Sequence, residues 1–390
     1  MQNHDRNTGD PDLRLFITAL SDATNVVIKV NKLSFRKSIS LNKFEDATID
    51  LPKTIQISGS GESSYSVIVT SNNPVSVVSQ NFKEQSSDTA SLYPTSELGN
   101  DYYVFTPPDG HLKEFAIIAK EPTKVTIYPT GSLTYQGKTY DKNSKLSIDL
   151  DPYDVFQFQS EDDLSGSRVV ASKPVVVLSG HTCSLKLTKC NHVYEQLQPV
   201  FIWGTTFFIP PVSFQKEYDL VYVMAGTPNT KVTYQAGSKI NNLDMKPGDV
   251  ISIELDPGAP ISINSTEGIQ VMYYGAGGKT KDLDFDTNLM TVQDVLSFCT
   301  SFKATAPPNF SNRAVLVAKT SDVEKLTVDK ASLNAINWQA IPGTEYSYGE
   351  YLLSSSKSYI FESSKSSFSL SILGISDLNY FGETAICLGA

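Results

Sequence analysis

One pattern recurs four times along the chain and limits what it can fold into. An alanine ends an apolar stretch, a turn follows, and a second β-branched stretch begins. The copies read ITALSDATNVVIKV at Ala19, AIIAKEPTKVTIY at Ala119, VYVMAGTPNTKVTY at Ala225 and VLVAKTSDVEKLTV at Ala318. The steps between these alanines are 100, 106 and 93 residues. A second marker follows in each copy, at Pro74, Pro174, Gly268 and near Ser367, with steps of 100, 94 and 99. A third opens copies two to four: YYVFTPP ending at Pro108, TFFIPP at Pro211 and FKATAPP at Pro308. A unit this long exceeds a propeller blade of about 40–50 residues and suits a β-sandwich of seven to nine strands.

The stretches between turns are short and β-branched or aromatic, as in Ser66–Thr70, Lys124–Tyr128, Val155–Phe158, Pro174–Leu178, Val250–Leu255 and Ser367–Leu373. That pattern predicts strands. Thr291–Phe298 alone has spacing that could make one or two helical turns. The Pro-Pro pairs should sit at strand ends, because proline cannot donate to a ladder. The expected fold is all-β: four tandem sandwich-like repeats at residues 1–97, 98–200, 201–296 and 297–390.

Composition narrows the function classes. A net charge of −10 argues against a nucleic-acid surface, which needs clustered Lys and Arg to displace counterions. No apolar run approaches the ~18–20 residues that span a bilayer. The first residues carry neither a basic nor an apolar leader region, and the chain reads as starting after its natural beginning. Copy one has no Pro-Pro opening strand before Leu13. Copy four carries a surplus run, Phe381–Cys387, that resembles Trp203–Ile209. The surplus either closes copy four or completes copy one in a ring.

The most specific block follows Pro174: SKPVVVLSGHTC, then Cys190-Asn191-His192, then EQLQPVFIWGTTFFIPP. Together with LGNDYYVFTPP (98–108), the 286–293 region, SNRAVLVA and PGTEYSYGEYLL (342–353), it resembles the N-terminal domain of the IgG Fc-binding protein family. The resemblance runs from about Leu13 to the C-terminus. It implies a secreted, non-enzymatic all-β module of a mucus, matrix or cell-surface protein. An extracellular protein or glycoprotein partner, immunoglobulin Fc among the candidates, comes with it.

Few residues could carry chemistry. His181-x-Cys183 and Cys190-x-His192 suit either a Cys2His2 zinc site or a Cys183–Cys190 disulfide flanked by ordinary histidines. The extracellular setting implied by the resemblance favours the disulfide. Cys299 and Cys387 bracket copy four and could form a second bridge or remain buried thiols. Asp282, Asp284 and Asp286 alternate like a calcium loop but lack its glycine and its final glutamate. Tyr274–Thr280 fails the phosphate-loop spacing, and Ser179 and His181 stand too close on one strand for a nucleophile and its base. Asn264 and Asn309 begin glycosylation sequons. The resulting expectation is a binding module with no catalytic residues, cofactor, nucleic-acid partner or membrane insertion. A calcium- or carbohydrate-dependent adhesin is the alternative, and a metal-dependent hydrolase a distant one.

Overall fold

The computed structural model describes residues 1–4, 9–333 and 336–388. Almost every element is an antiparallel strand, and the connections include four short 3-10 turns among the described residues. The chain divides into two compact units. One comprises Met1–Leu185 with Cys190–Ile202, the other Lys186–Lys189 with Trp203–Ala390.

One connectivity recurs four times. The strand bearing the marker alanine is Asp12–Ala19, Lys113–Ala119, Asp219–Ala225 or Ser311–Lys319. On one side it pairs with a mid-copy strand: Asp46–Leu51, Val155–Ser160, Val250–Leu255 or Tyr346–Leu353. On the other it pairs with a late strand: Val75–Lys83, Arg168–Ser184, Ile261–Gly275 or Ser369–Ser376. A tail strand then edges this sheet: Ser86–Ser91, Asn191–Gln196, Asn288–Thr291 or Asn379–Thr384.

The strand after each alanine leads the second sheet: Thr24–Val30, Thr123–Tyr128, Thr230–Ala236 or Leu326–Val328. Its neighbour leads into the late strand. In copies two and three that neighbour is the first half of the long strand itself, which passes from one sheet to the other. In copies one and four the long strand is broken into Val67–Ser71 then Val75–Lys83, and Ser358–Ser363 then Ser369–Ser376. The opening strands Gly99–Tyr103, Gly204–Ile209 and Ser301–Thr305 complete this sheet in copies two to four. The Pro-Pro pairs follow these strands directly or within a few residues, where no ladder donor is needed.

Alternation explains the local structure. Thr123–Tyr128 and Leu146–Leu150 bury every second residue, so one face meets the opposite sheet and the other meets water. The alanine has its own reason. In copies one to three its N–H donates to Glu45, Asp154 or Asp249 C=O, and its C=O accepts from Phe44, Tyr153 or Gly248 N–H. The three residues that donate to these alanine carbonyls, Phe44, Tyr153 and Gly248, have φ of 66°, 67° and 87°. A tight turn therefore folds back onto a fully buried position (Ala19, Ala119 and Ala225 are 0% exposed), where a larger side chain would lack room.

Each copy has its own core. Phe115, Ile117, Phe158 and Val177 centre the second, and Phe302, Leu316, Phe361 and Phe368 the fourth. In the second unit, Tyr380 from the last tail strand also enters the core around Phe214 and Phe285, stacking edge-on against both rings. Its hydroxyl meets Tyr273 Oη at 2.6 Å, and Tyr273 donates to the buried Asp219 carboxylate. Asp219 also accepts from Gln215 Nε2 at 2.8 Å and Ala276 N–H at 2.9 Å.

The ring-closure alternative is corrected here. Residues 379–384 pair with Ser369–Ser376, and Ile386–Cys387 pairs with Ser301–Thr305. Both partners lie in copy four, so the surplus run is that copy's own tail strand. The helical spacing at Thr291–Phe298 yields a single 3-10 turn, Val295–Ser297, in which Leu296 N–H donates to the Asp294 side chain.

Candidate functional site

The block after Pro174 forms a hairpin in the first unit. Leu178 to His181 face Gln196 to Val193, and the register then shifts before Ser184 meets Asn191. Gly180 permits this approach: a Cβ there would lie 1.9 Å from Val193 O. Cys183 and Cys190 are disulfide-bonded across the shift, with Cα atoms 5.0 Å apart. Alternation places His181 and Cys183 on one face, and both are essentially inaccessible. With the two sulfurs joined, no thiolate pair remains to accompany the imidazoles around a metal.

The hydrogen bonds fix both tautomers. Cys183 N–H donates to His181 Nδ1 at 2.9 Å, so the His181 proton sits on Nε2. His192 Nδ1 lies 3.1 Å from His181 C=O and must donate, so its proton sits on Nδ1. Burial pushes the His181 pKa down to about 3, with Lys113 and His111 adding repulsion. Burial also drives His192 well below the ordinary imidazole range, with the Met1 amino group pushing the same way and the His181 carbonyl opposing. Both rings are therefore neutral, and neither suits proton transfer at neutral pH. Nitrogen-detected NMR should show Nε2–H at His181 and Nδ1–H at His192, unchanged from pH 8 to pH 5. Titration of either ring in that range would refute the assignment.

Polar groups of the strand Asn191–Gln196 reach copy one. Asn191 Nδ2 donates to Ser87 C=O at 3.0 Å, and its Oδ1 accepts from Ser87 N–H at 2.8 Å. His192 N–H meets Ser86 Oγ at 3.0 Å, and Tyr194 N–H donates to Asp88 Oδ2 at 2.9 Å. Gln196 Oε1 accepts from Tyr93 N–H at 3.1 Å. The two tail strands Ser86–Ser91 and Asn191–Gln196 thus meet through side chains, and burial holds the Asp88 carboxyl well above its usual range. The block works as a joint within the first unit.

Glu114 sits behind the histidines and was missing from the sequence reading. It is fully buried, with Oε1 3.8 Å from His192 Nδ1. Its Oε2 accepts from Gln159 Nε2 at 2.8 Å and Gln2 N–H at 3.3 Å. A carboxylate inside the apolar run EFAIIA was the available signal.

The acidic triplet does not converge. Asp284 pairs with Lys279 at 3.1 Å, Asp286 is buried and accepts from Tyr380 N–H at 2.6 Å, and Asp282 faces solvent. No group of three or more His, Cys, Asp or Glu is placed to hold a metal among the described residues. Asn264 is exposed on the strand Ile261–Gly275, and Asn309 is exposed at a turn with φ of 66°. Cys299 and Cys387 are bonded in the second unit, with Cα atoms 5.9 Å apart.

Residues 88–374 match the model of a family described as IgGFc binding protein. The human IgGFc-binding protein is 35% identical over 343 residues, which cover 86% of this chain and 6% of that protein. The chain therefore spans about 6% of the length of the curated relative it matches.

Proposed function

Because the chain belongs to the IgGFc-binding protein family, we propose that it is a non-catalytic extracellular binding module of a secreted mucus, matrix or cell-surface protein. Its work is protein–protein recognition, and immunoglobulin Fc is the first ligand to test. The observation that carries the reading is the 35% identity, across 86% of the chain, to a protein whose name states Fc binding. Two further features support it. Both disulfides suit an oxidising compartment. The residues most suggestive of chemistry, His181 and His192, are inaccessible, and their polar neighbours join two copies.

In this reading the chain comprises four copies, with boundaries near 97, 200 and 296. Asn264 and Asn309 carry glycans on solvent-facing backbone. The test is surface plasmon resonance with the disulfide-intact chain over immobilised human Fc and, in parallel, Fab. Saturable binding to Fc and none to Fab is the expected result. No Fc-selective signal at the highest soluble concentration would remove Fc from the proposal.

A further inference from the structure

Within each unit the two copies meet in the same way. The N–H of a tyrosine in the second copy's tail strand donates to an aspartate of the first copy that precedes a threonine: Tyr194 to Asp88 at 2.9 Å, Tyr380 to Asp286 at 2.6 Å. Each tyrosine hydroxyl also meets the first copy's late strand, at Ser79 or Tyr273. Both stand four residues beyond the partner of the marker alanine, Val75 or Ile269. One segment differs between the units. The first copy's link from mid-copy strand to late strand covers residues 52–66 in the first unit and only 256–260 in the second.

In the first unit the long link adds a strand to copy two. Gly61–Ser63 pairs antiparallel with Val155–Gln157, Gly61 opposite Gln157. Ser60 Oγ accepts from Gln159 N–H at 2.9 Å, and Gln157 Nε2 donates to Ile57 C=O at 3.2 Å and Gly59 C=O at 2.8 Å. Glu350 and Leu352 hold the places of Gln157 and Gln159 in copy four, opposite the residues three and five before the marker alanine. Thr320 N–H donates to Glu345 C=O, and Ile341 N–H to Tyr346 C=O. Alternation therefore turns the backbone N–H and C=O of Tyr346, Tyr348, Glu350 and Leu352 away from the marker strand. Gln339 pairs with Tyr348, but among the described residues no strand lies opposite Glu350 or Leu352 on that side. A cleft of about 390 Å³ opens there, lined by Asn337, Gln339, Gly349 and Glu350 and by Pro257 and Gly258 from the short link of copy three.

We propose that this cleft takes an extended glycine- and serine-rich segment of a partner polypeptide, seated as residues 57–63 are seated in the first unit. The sister segment, ISGSGES, sets the chemistry. Small side chains let its backbone come close, and a glycine stands opposite the edge residue. In the cleft Glu350 N–H and C=O supply the ladder. Gln339 Oε1 accepts from Tyr348 Oη at 2.8 Å, which leaves its NH2 group and the Asn337 amide to bond a peptide backbone. The volume falls within the roughly 300–1,000 Å³ of ligand clefts. The inference deepens the binding reading above by naming the class of partner segment, and it rests on that reading for its biological role.

The probe is a synthetic peptide of residues 56–64, QISGSGESS, titrated to millimolar concentration into the whole, isotope-labelled, disulfide-intact chain. Saturable amide NMR shifts are expected at Gly258, Gln339, Glu350 and Leu352. N-methylation at the peptide's Gly61 position, whose amide faces the edge, should weaken binding by about tenfold, while N-methylation at Glu62, whose amide faces away, should not. Asn337 is exposed, so Asn337→Trp should fill the cleft and abolish the shifts with the melting midpoint unchanged. Asn337→Ala should still bind. Absence of shifts, shifts confined to Val155–Gln159 in the first unit, or binding indifferent to both the Gly61 methylation and Asn337→Trp would overturn the proposal. A concentration-dependent dimer of the chain that Asn337→Trp disrupts would give the cleft to a second copy and overturn it too. Fc binding is measured on the same sample, so its retention without peptide binding defeats this inference alone.

Discussion

Removing the Cys299–Cys387 bridge should lower the stability of the second unit by roughly 4–5 kcal/mol in the chain-entropy model for a closed loop of this size. The loop is long, the two cysteines lying 88 positions apart in sequence. The same model gives only about 2 kcal/mol for Cys183–Cys190, which are 7 apart. What the longer bridge holds is also weak in itself. Ile386–Cys387 is a two-residue strand that adds to Ser301–Thr305 by two register pairs, and it is only partly buried. The double variant Cys299→Ala/Cys387→Ala avoids leaving a free thiol. Both tryptophans, Trp203 and Trp338, lie in the second unit, so their fluorescence reports that unit. At roughly 2–4 °C per kcal/mol for a body of this size, its midpoint should fall by about 8–20 °C. A shift of less than about 3 °C would mean that strand pairing and the packing of Tyr380 hold the tail without the bridge.

The features legible in the sequence were those set by near neighbours. Alternation at period two named the strands, and the alanine markers stood out because a turn with positive φ must fold onto them. The cysteine and histidine spacing of the 181–192 block was visible for the same reason. Its surroundings were not. Glu114, Ser86 and Asp88, which decide what the block does, lie about 70–106 residues away in sequence, and no local pattern marks a pairing at such a distance. The tail of copy four was ambiguous for a different reason. Phe381-Gly382 resembles Trp203-Gly204, but whether such a strand opens one copy or ends another depends on register against Ser369–Ser376. Register is set by which residues face the core, and here Tyr380, entering the core between Phe214 and Phe285, settles it.

Replacing Glu114 by glutamine should stabilise the first unit at pH 8 and leave it unchanged at pH 4. Burial raises the Glu114 pKa from 4.5 to about 7, while the Met1 amino group and the bonds from Gln159 and Gln2 pull it the other way. The folded chain thus holds this proton more tightly than the unfolded chain. The stability linked to it is present in full below about pH 4.5 and is lost as pH rises through about 7. The gap between those two values corresponds to roughly 3 kcal/mol. Glutamine keeps a carbonyl oxygen to accept from Gln159 Nε2 and never ionises. The neighbouring imidazole cannot offset the charge, because His192 stays neutral and its Nδ1 proton is engaged by His181 C=O. Asp88 titrates in the same direction but is common to both proteins, so the difference between them isolates Glu114. Hydrogen exchange at the amides of Lys113–Ala119, which sit between two partner strands, measures the effect within the unit concerned. Protection should be about a hundredfold greater in Glu114→Gln than in the parent at pH 8, with the two curves merging toward pH 4. Parallel curves across that range would show that Glu114 is ionised in the folded protein, with water or the amino terminus supplying the charge it needs.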